Sequence, residues 1–109
     1  YLDGNRITVI QEGAFNGLNT LNRLSIRSNQ LTVIENRTFH GIHNLNYLYL
    51  DGNRITVIQE GAFDGLNTLN SLSIRSNQLT VIENRTFHGI HNLNYLYVYL
   101  YINNFMFSN

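Results

Sequence analysis

Residues 45–68 read LNYLYLDGNRITVIQEGAFDGLNT, and this 24-residue unit decides the fold. Related units start at Leu21, Leu69 and Leu93, and the last of them soon departs from the pattern. A fixed period of this length is typical of a solenoid, because each unit is too small to bury its own apolar face and stacks on its neighbours instead. The sequence therefore predicts a solenoid before any other feature is considered.

We expect a single domain over residues 1–109, since a chain of this length fits within one. It divides into a partial unit 1–20, full units 21–44, 45–68 and 69–92, and a divergent terminal unit 93–109. A longer period lies over these units, because residues 1–48 and 49–96 differ only at Asn16/Asp64 and Arg23/Ser71. Such near-identity indicates a young duplication or a designed or consensus sequence, and the residues alone leave both open.

Fixed positions within the unit predict its local structure. Positions one, four and six are apolar, as in Leu45, Leu48 and Leu50, and the alternation from four to six is the period of a strand. We therefore expect one short strand per unit, stacked in parallel about 4.8 Å apart. Position nineteen is always Phe, position twenty-one always Gly, and position twenty-two is Leu or Ile, with Leu18 in the first unit. The Phe rings should stack into a spine, and position twenty-two should close the core.

Position nine is Asn in every intact unit, at Asn5, Asn29, Asn53 and Asn77. An amide carries donors and an acceptor, so it can satisfy backbone groups at the bend after the strand. We expect each amide to bond to its own loop and to the next unit.

This pattern resembles the typical subfamily of leucine-rich repeats, LxxLxLxxNxLxxLPxxxFxxLxx, over residues 1–98. The resemblance implies an α/β-type horseshoe with short parallel β-strands on the concave face and loops with short 3-10 or helical turns on the convex face. Members of that subfamily are mostly extracellular or ectodomain modules that bind proteins, among them receptor ectodomains, axon-guidance proteins and jawless-vertebrate lymphocyte receptors. The chain departs from the pattern in three ways. Gln or Glu replaces the Pro at position fifteen, Cys-rich terminal caps are absent, and Tyr101 replaces the Asn at position nine of the last unit.

Composition narrows the function classes. Charged residues make up 13% of the chain, the formal net charge is zero, and there is no Cys. We expect no nucleic-acid partner, because counterion release from a phosphate backbone needs an excess of Lys and Arg. We expect no membrane span, because no apolar run reaches about 20 residues, and we see no signal peptide. There is no Cys nucleophile, glycine-rich phosphate loop or GxSxG elbow, so we expect no enzyme activity and no cofactor.

Strand positions three, five and seven face outward and form the candidate binding surface. Position seven alternates in charge across consecutive strands, and Tyr lies beside Ser at position five. Tyr and Arg are enriched at binding hot spots, which favours a protein-binding surface. In the alternative interpretation the charges only neutralise each other and the Tyr rings only cover the sheet. The predicted partner-binding residues are Arg27, Tyr47, Tyr49, Asp51, Arg75, Tyr95 and Tyr97.

The segment 95–102 alternates Tyr with aliphatic residues and carries no charge. Such a strand lacks the usual protection against pairing with another chain. We therefore expect a self-association edge at Tyr97, Tyr99 and Tyr101, which would give a homo-oligomer. In the alternative interpretation, the tail residues Phe105, Met106 and Phe107 fold under the last unit as a cap.

Two features lie on the predicted loop side. Possible N-glycosylation sequons start at Asn36 and Asn84, where a glycan would leave the concave sheet open. His40 and His43 repeat as His88 and His91. That spacing is conceivable for a metal, but no Cys or carboxylate is fixed beside them in the same unit, so we predict surface histidines and no metal site.

These observations predict a non-enzymatic protein-binding module that uses the concave face of a leucine-rich-repeat solenoid. The resemblance implies that it is a piece of an extracellular recognition protein, located outside the cell or on a cell-surface ectodomain. The alternative is a self-associating structural or assembly element that pairs through uncapped ends and its Tyr-rich edge strand.

Overall fold

The computed structural model describes residues 1–83, 85–90 and 93–98, which wind into a solenoid with two parallel sheets. The strands are β1 (Arg23–Ser25), β2 (Val33–Ile34), β3 (Tyr47–Tyr49), β4 (Val57–Ile58), β5 (Ser71–Ile74) and β6 (Tyr95–Val98). The larger sheet has the order β1-β3-β5-β6 and follows the predicted alternation. Its register pairs Leu24 with Leu48, Leu48 with Leu72, and Leu72 with Leu96, so each coil repeats the one before it. The predicted solenoid is confirmed.

The side opposite the larger sheet consists of tight turns and a second, two-stranded sheet. Hydrogen bonds across three residues close the turns, as from Ala14 N to Gln11 O at 3.1 Å and from Asn16 N to Gly13 O at 3.1 Å. This is the bonding pattern of a 3-10 turn. No helix forms in the described part of the chain. At the ends of this turn segment Gly13 and Gly17 have φ of 81° and 85°, a conformation that a right-handed helix cannot contain.

Apolar side chains from successive coils form one continuous core. The Phe rings stack nearly parallel, with centroid distances of 6.1, 6.0 and 5.9 Å along Phe15, Phe39, Phe63 and Phe87, which confirms the predicted spine. Leu48, Leu50 and Ile55 are fully buried against them. Exceptions to the predicted core lie near the two ends of the described coil: Leu96 in β6 is 44% exposed, and Leu18 is 45% exposed. Leu18 belongs to the first coil described, so coils pack against it from one side only.

The Asn at position nine joins coils, but in the direction opposite to the one predicted. Asn53 Oδ1 accepts a hydrogen bond from Leu31 N at 3.1 Å, and its Nδ2 donates to Ile26 O at 2.9 Å and to Leu50 O at 3.0 Å. Leu31 and Ile26 belong to the preceding unit, not to the next one. The prediction of bonds to the next unit is therefore wrong. The bend after each strand turns the amide toward the preceding coil.

Candidate binding surface on the concave sheet

Strand register brings the predicted tyrosines together on the outward face of the larger sheet. Tyr47 and Tyr95 flank Ser71, while Tyr49 and Tyr97 flank Ser73. The two serines are buried between the larger side chains, Tyr47 and Tyr49 are half-buried, and Tyr95 and Tyr97 are exposed. The face is therefore ribbed, with aromatic ridges separated by small residues.

Arginines lie on the tyrosine rings. Arg27 Cζ is 4.2 Å from the ring centroid of Tyr49, and Arg75 Cζ is 4.3 Å from that of Tyr97. These two contacts are copies of each other in the duplicated halves. A cation over an exposed aromatic face contributes about 0.5–1 kcal/mol, so the contacts hold the side chains in place without burying them.

Arg23 belongs to the same surface, although the sequence-based set leaves it out. Its Cζ lies 4.9 Å from the Tyr47 centroid and 6.0 Å from the Tyr49 centroid. A hydrogen bond with the Tyr1 side chain, together with the nearby Tyr49, raises the pKa of Arg23 above its usual range. The signal that could have found it is the Arg23/Ser71 difference, which lies on this face.

The aspartates at position seven clamp one strand to the next. Asp51 Oδ1 accepts hydrogen bonds from Ser73 Oγ and from Arg75 N, both at 2.7 Å, and Asp51 Oδ2 lies 3.3 Å from Arg27 Nε. Asp51 was predicted to contact a partner, and its carboxylate is engaged within the sheet. Sequence reasoning missed this clamp because Asp51 and Ser73 are 22 residues apart in the sequence and meet only through the register of adjacent strands.

Asp3 forms the same clamp in the first unit. Its Oδ1 accepts from Ser25 Oγ at 2.7 Å and from Arg27 N at 2.8 Å. Desolvation raises the pKa of the Asp3 carboxyl, but these hydrogen bonds and the charge of Arg27 together outweigh it. The net result is a pKa below the usual 3.8.

The predicted self-association edge is described only in part. Tyr97 lies in β6, the last strand of the larger sheet in the described ranges, next to Leu96, which is 44% exposed. The rings of Tyr95 and Tyr97 stack at 6.5 Å. Tyr99 and Tyr101 lie outside the described residues, as does the possible cap of Phe105, Met106 and Phe107.

The opposite side carries the other predicted features. Asn36 is exposed there, whereas Asn84 and His91 lie outside the described residues. The rings of His40 and His43 meet edge to face at 6.3 Å beside an open cleft of about 450 Å³ that Asp64 also lines. Within residues 1–83, 85–90 and 93–98, no three His, Cys, Asp or Glu side chains are grouped to hold a metal. A second cleft, of about 300 Å³, lies between residues 56–60 and 81–83.

Comparisons with known proteins agree on the architecture. A family model described as leucine rich repeat matches residues 1–55 and again residues 43–99. No curated protein shows significant sequence similarity to the chain. A chain in the crystal structure of a TLR13–ssRNA13 complex superposes with a TM-score of 0.87 at 24% identity, over 93% of this chain and 14% of that one. This chain therefore spans only a small part of its solved neighbour, and the likeness concerns the fold.

The same neighbour corrects the prediction that excluded nucleic acid. That structure holds a solenoid of this fold in a complex with single-stranded RNA, so the exclusion is wrong. It rested on a net charge summed over the whole chain, whereas contacts depend on the charge of the face that makes them. As for the predicted absence of a membrane span, the described part of the chain contains no helix suited in length and hydropathy to cross a bilayer.

Proposed function

The chain belongs to the leucine-rich repeat family, and from this premise we propose that it is a non-enzymatic binding module that holds a protein partner on the concave sheet. The observation that carries the proposal is the pair of repeated contacts in which Arg27 lies over Tyr49 and Arg75 over Tyr97. Tyr and Arg dominate binding hot spots, and side chains already held in place lose little entropy when a partner docks.

The proposal is tested with peptides selected from a displayed library of random linear sequences against the immobilised chain. Combining Tyr49→Ala with Arg75→Ala should weaken the selected peptides by about thirtyfold or more, since the loss of even one hot spot of about 2 kcal/mol has that effect. Arg54→Ala is the control, because Arg54 is exposed in the loop after β3. Circular dichroism should show the same fold for all variants. Selected peptides that bind the double variant as tightly as the parent chain would refute a concave site.

Single-stranded RNA is the necessary second probe, because the solved neighbour is in a complex with it. An oligouridylate should be titrated against the parent chain and the same double variant. If the oligouridylate binds tightly through the concave residues while no selected peptide does, the partner class proposed above is wrong and the concave site stands.

We also infer an extracellular or cell-surface location, which the family resemblance supports. Asn36 is exposed on the turn side, and the sequon hydroxyl of Thr38 donates to Glu35 O at 2.6 Å. When the chain is expressed through a secretory pathway, a glycosidase that removes N-linked glycans should lower its mass. Asn36→Gln should remove part of that shift, and Asn36→Gln with Asn84→Gln should remove all of it. A secreted chain with no glycan would contradict the glycoprotein part of the proposal.

Self-association is the second candidate, favoured by the exposure of Leu96 at an inward core position of β6. Full burial of an exposed Leu contributes about 1.5–3 kcal/mol, and Leu96, at 44% exposed, would gain about half of that or less against a second chain. Light scattering should then show a mass that rises with concentration, and Tyr97→Lys with Tyr99→Lys and Tyr101→Lys should return it to that of a monomer. A monomer mass that is independent of concentration for the parent chain would remove this candidate.

A further inference from the structure

The carboxylates of the concave face, on Asp3 and Asp51, accept hydrogen bonds from groups of the sheet itself. Asp51 uses one oxygen for Ser73 Oγ and Arg75 N, and the other for the Nε of Arg27. Asp3 uses one oxygen for Ser25 Oγ and Arg27 N. Each carboxylate therefore bridges its own coil to the next strand, and the Asp51 side chain is only 22% exposed.

The guanidinium group of Arg27 is more exposed to solvent than the carboxylate with which it pairs. The Arg27 side chain is 45% exposed, twice the fraction of its partner Asp51. The Cζ atoms of Arg23 and Arg27 lie 4.9 and 4.2 Å from the ring centroids of Tyr47 and Tyr49. Arg23 is hydrogen-bonded to Tyr1, and Arg27 donates Nε to Asp51. Each guanidinium has five N–H donors, so the remaining ones can pair with a carboxylate of a partner. Although the chain as a whole is neutral, this face presents positive charge to a partner.

We propose that the concave face binds an acidic protein segment whose carboxylates pair with Arg23 and Arg27. Asp3 and Asp51 keep their hydrogen bonds to the neighbouring strand in this complex. This inference rests on the proposed function and adds the chemistry of the partner. Asp51 is accordingly a positioning residue that fixes Arg27 and the backbone at Arg75, and it does not itself contact the partner.

The spacing of charge favours a protein segment over a phosphate backbone. Along the face Asp51 lies between Arg27 and Arg75, in strands about 4.8 Å apart. A phosphate backbone carries a negative charge at every nucleotide, so it offers no neutral link that could be set opposite Asp51. A protein segment can place carboxylates opposite the arginines alone and a neutral side chain opposite Asp51. In addition, the rings of Tyr49 and Tyr97, which could otherwise stack on bases, already carry guanidinium groups on one side.

The duplication supplies an internal comparison. Arg23 lies over Tyr47 in the first half, and Ser71 occupies the matching position in the second half. Arg23 and Arg27 of the first half therefore both lie near the Tyr49 ring, whereas Arg75 of the second half lies over Tyr97. The acidic segment should bind most tightly over β1 and β3.

The test uses a labelled peptide of alternating Glu and Ser, its Gln/Ser twin and an oligouridylate, measured by fluorescence anisotropy with the full chain. The Glu peptide should bind about tenfold or more tightly than the Gln peptide, and added salt should weaken it. Arg23→Ser should weaken the Glu peptide about fivefold or more, while the matched Arg54→Ser leaves it unchanged. Asp51→Asn should also weaken it, through loss of the clamp; tighter binding would show that Asp51 instead repels the segment.

The outcomes separate this inference from the proposed function. Equal binding of the Glu and Gln peptides would overturn the acidic-segment inference, whereas loss of both with Tyr49→Ala would still support a concave protein site. An oligouridylate that outcompetes the Glu peptide on the parent chain, and is weakened by Arg23→Ser, would assign the face to nucleic acid instead. If the Glu peptide binds with no effect of Arg23→Ser, the acidic-segment inference fails, and the Tyr49→Ala with Arg75→Ala variant alone decides the proposed function.

Discussion

Asn53 shows how a single side chain can join two coils. It is buried at the bend after β3, where its amide satisfies Leu31 N, Ile26 O and Leu50 O. The recurrence of Asn at position nine predicts such a role, because a chain reversal in the interior needs polar partners. The direction of the bonds was not predictable from the residues, since it depends on which way the bend turns the amide.

Asn53→Ala should destabilise the chain by about 2–4 kcal/mol, because it leaves at least two buried backbone groups without partners. Urea unfolding followed by circular dichroism measures this loss. Asn5→Ala is the matched control at the same position of the first unit, where the amide is exposed and bonds locally to Leu2 O and Asp3 O. It should cost less than about 1 kcal/mol. Equal costs at the two positions would contradict the role assigned to burial.

The Asp3 clamp predicts a pH dependence of stability. The pKa of Asp3 is lower in the folded chain than its usual 3.8, so the unfolded chain binds more protons in the window between the two values. The stabilisation by Asp3 is therefore fully present above 3.8 and is lost as pH falls through the folded-state pKa. The effect should be small, because Asp3 is exposed and solvent screens its charge.

The comparison between the parent chain and Asp3→Asn isolates this effect. Their difference in the free energy of unfolding, from urea melts, should be larger at neutral pH than in strong acid. A difference that grows as the pH falls would mean that the clamp works through the protonated carboxyl and would contradict the assignment.

At the scale of elements, sequence and structure agree best where a periodic pattern is long. The alternation of Leu48 with outward neighbours predicts β3, and the register of β1, β3, β5 and β6 follows the 24-residue period. The pairing of β2 with β4 was not foreseen, because two residues are too short to show alternation. The residues Val57 and Ile58 favour an extended backbone, but only the coil next to them supplies the partner strand.

The Phe spine predicts a graded response to truncation. Phe63 stacks between Phe39 and Phe87, whereas Phe15 stacks on Phe39 alone among the described residues. Phe63→Ala should therefore cost about 3–5 kcal/mol, and Phe15→Ala clearly less, because a repeat protein is stabilised mainly by contacts between neighbouring units. The midpoint of urea unfolding measures both. An equal loss at the two positions would argue against a continuous stacked spine.

At the scale of the whole molecule, stacking turns a neutral sequence into a surface with local charge. The alternating Asp and Arg of position seven were predicted to stand side by side, and Arg27 and Asp51 do so. The residues alone do not show that the Asp51 carboxylate bonds to the next strand, at Ser73 and Arg75. Nor do they show that the Arg27 guanidinium lies over the ring of Tyr49. This arrangement depends on Ser73 and Tyr49 lying beside each other in adjacent strands, a relation that exists only after the coils have stacked.

Chemical-shift mapping by nuclear magnetic resonance tests most directly whether this concave face is the binding surface. Titrating the Glu/Ser peptide into the isotopically labelled chain should shift the side-chain N–H signals of Arg23 and Arg27 and the amides of β1, β3 and β5. The Gln/Ser peptide should leave these signals in place. Shifts that centre on Val57 and Val81 beside the cleft on the opposite side, with those arginines unchanged, would contradict the account.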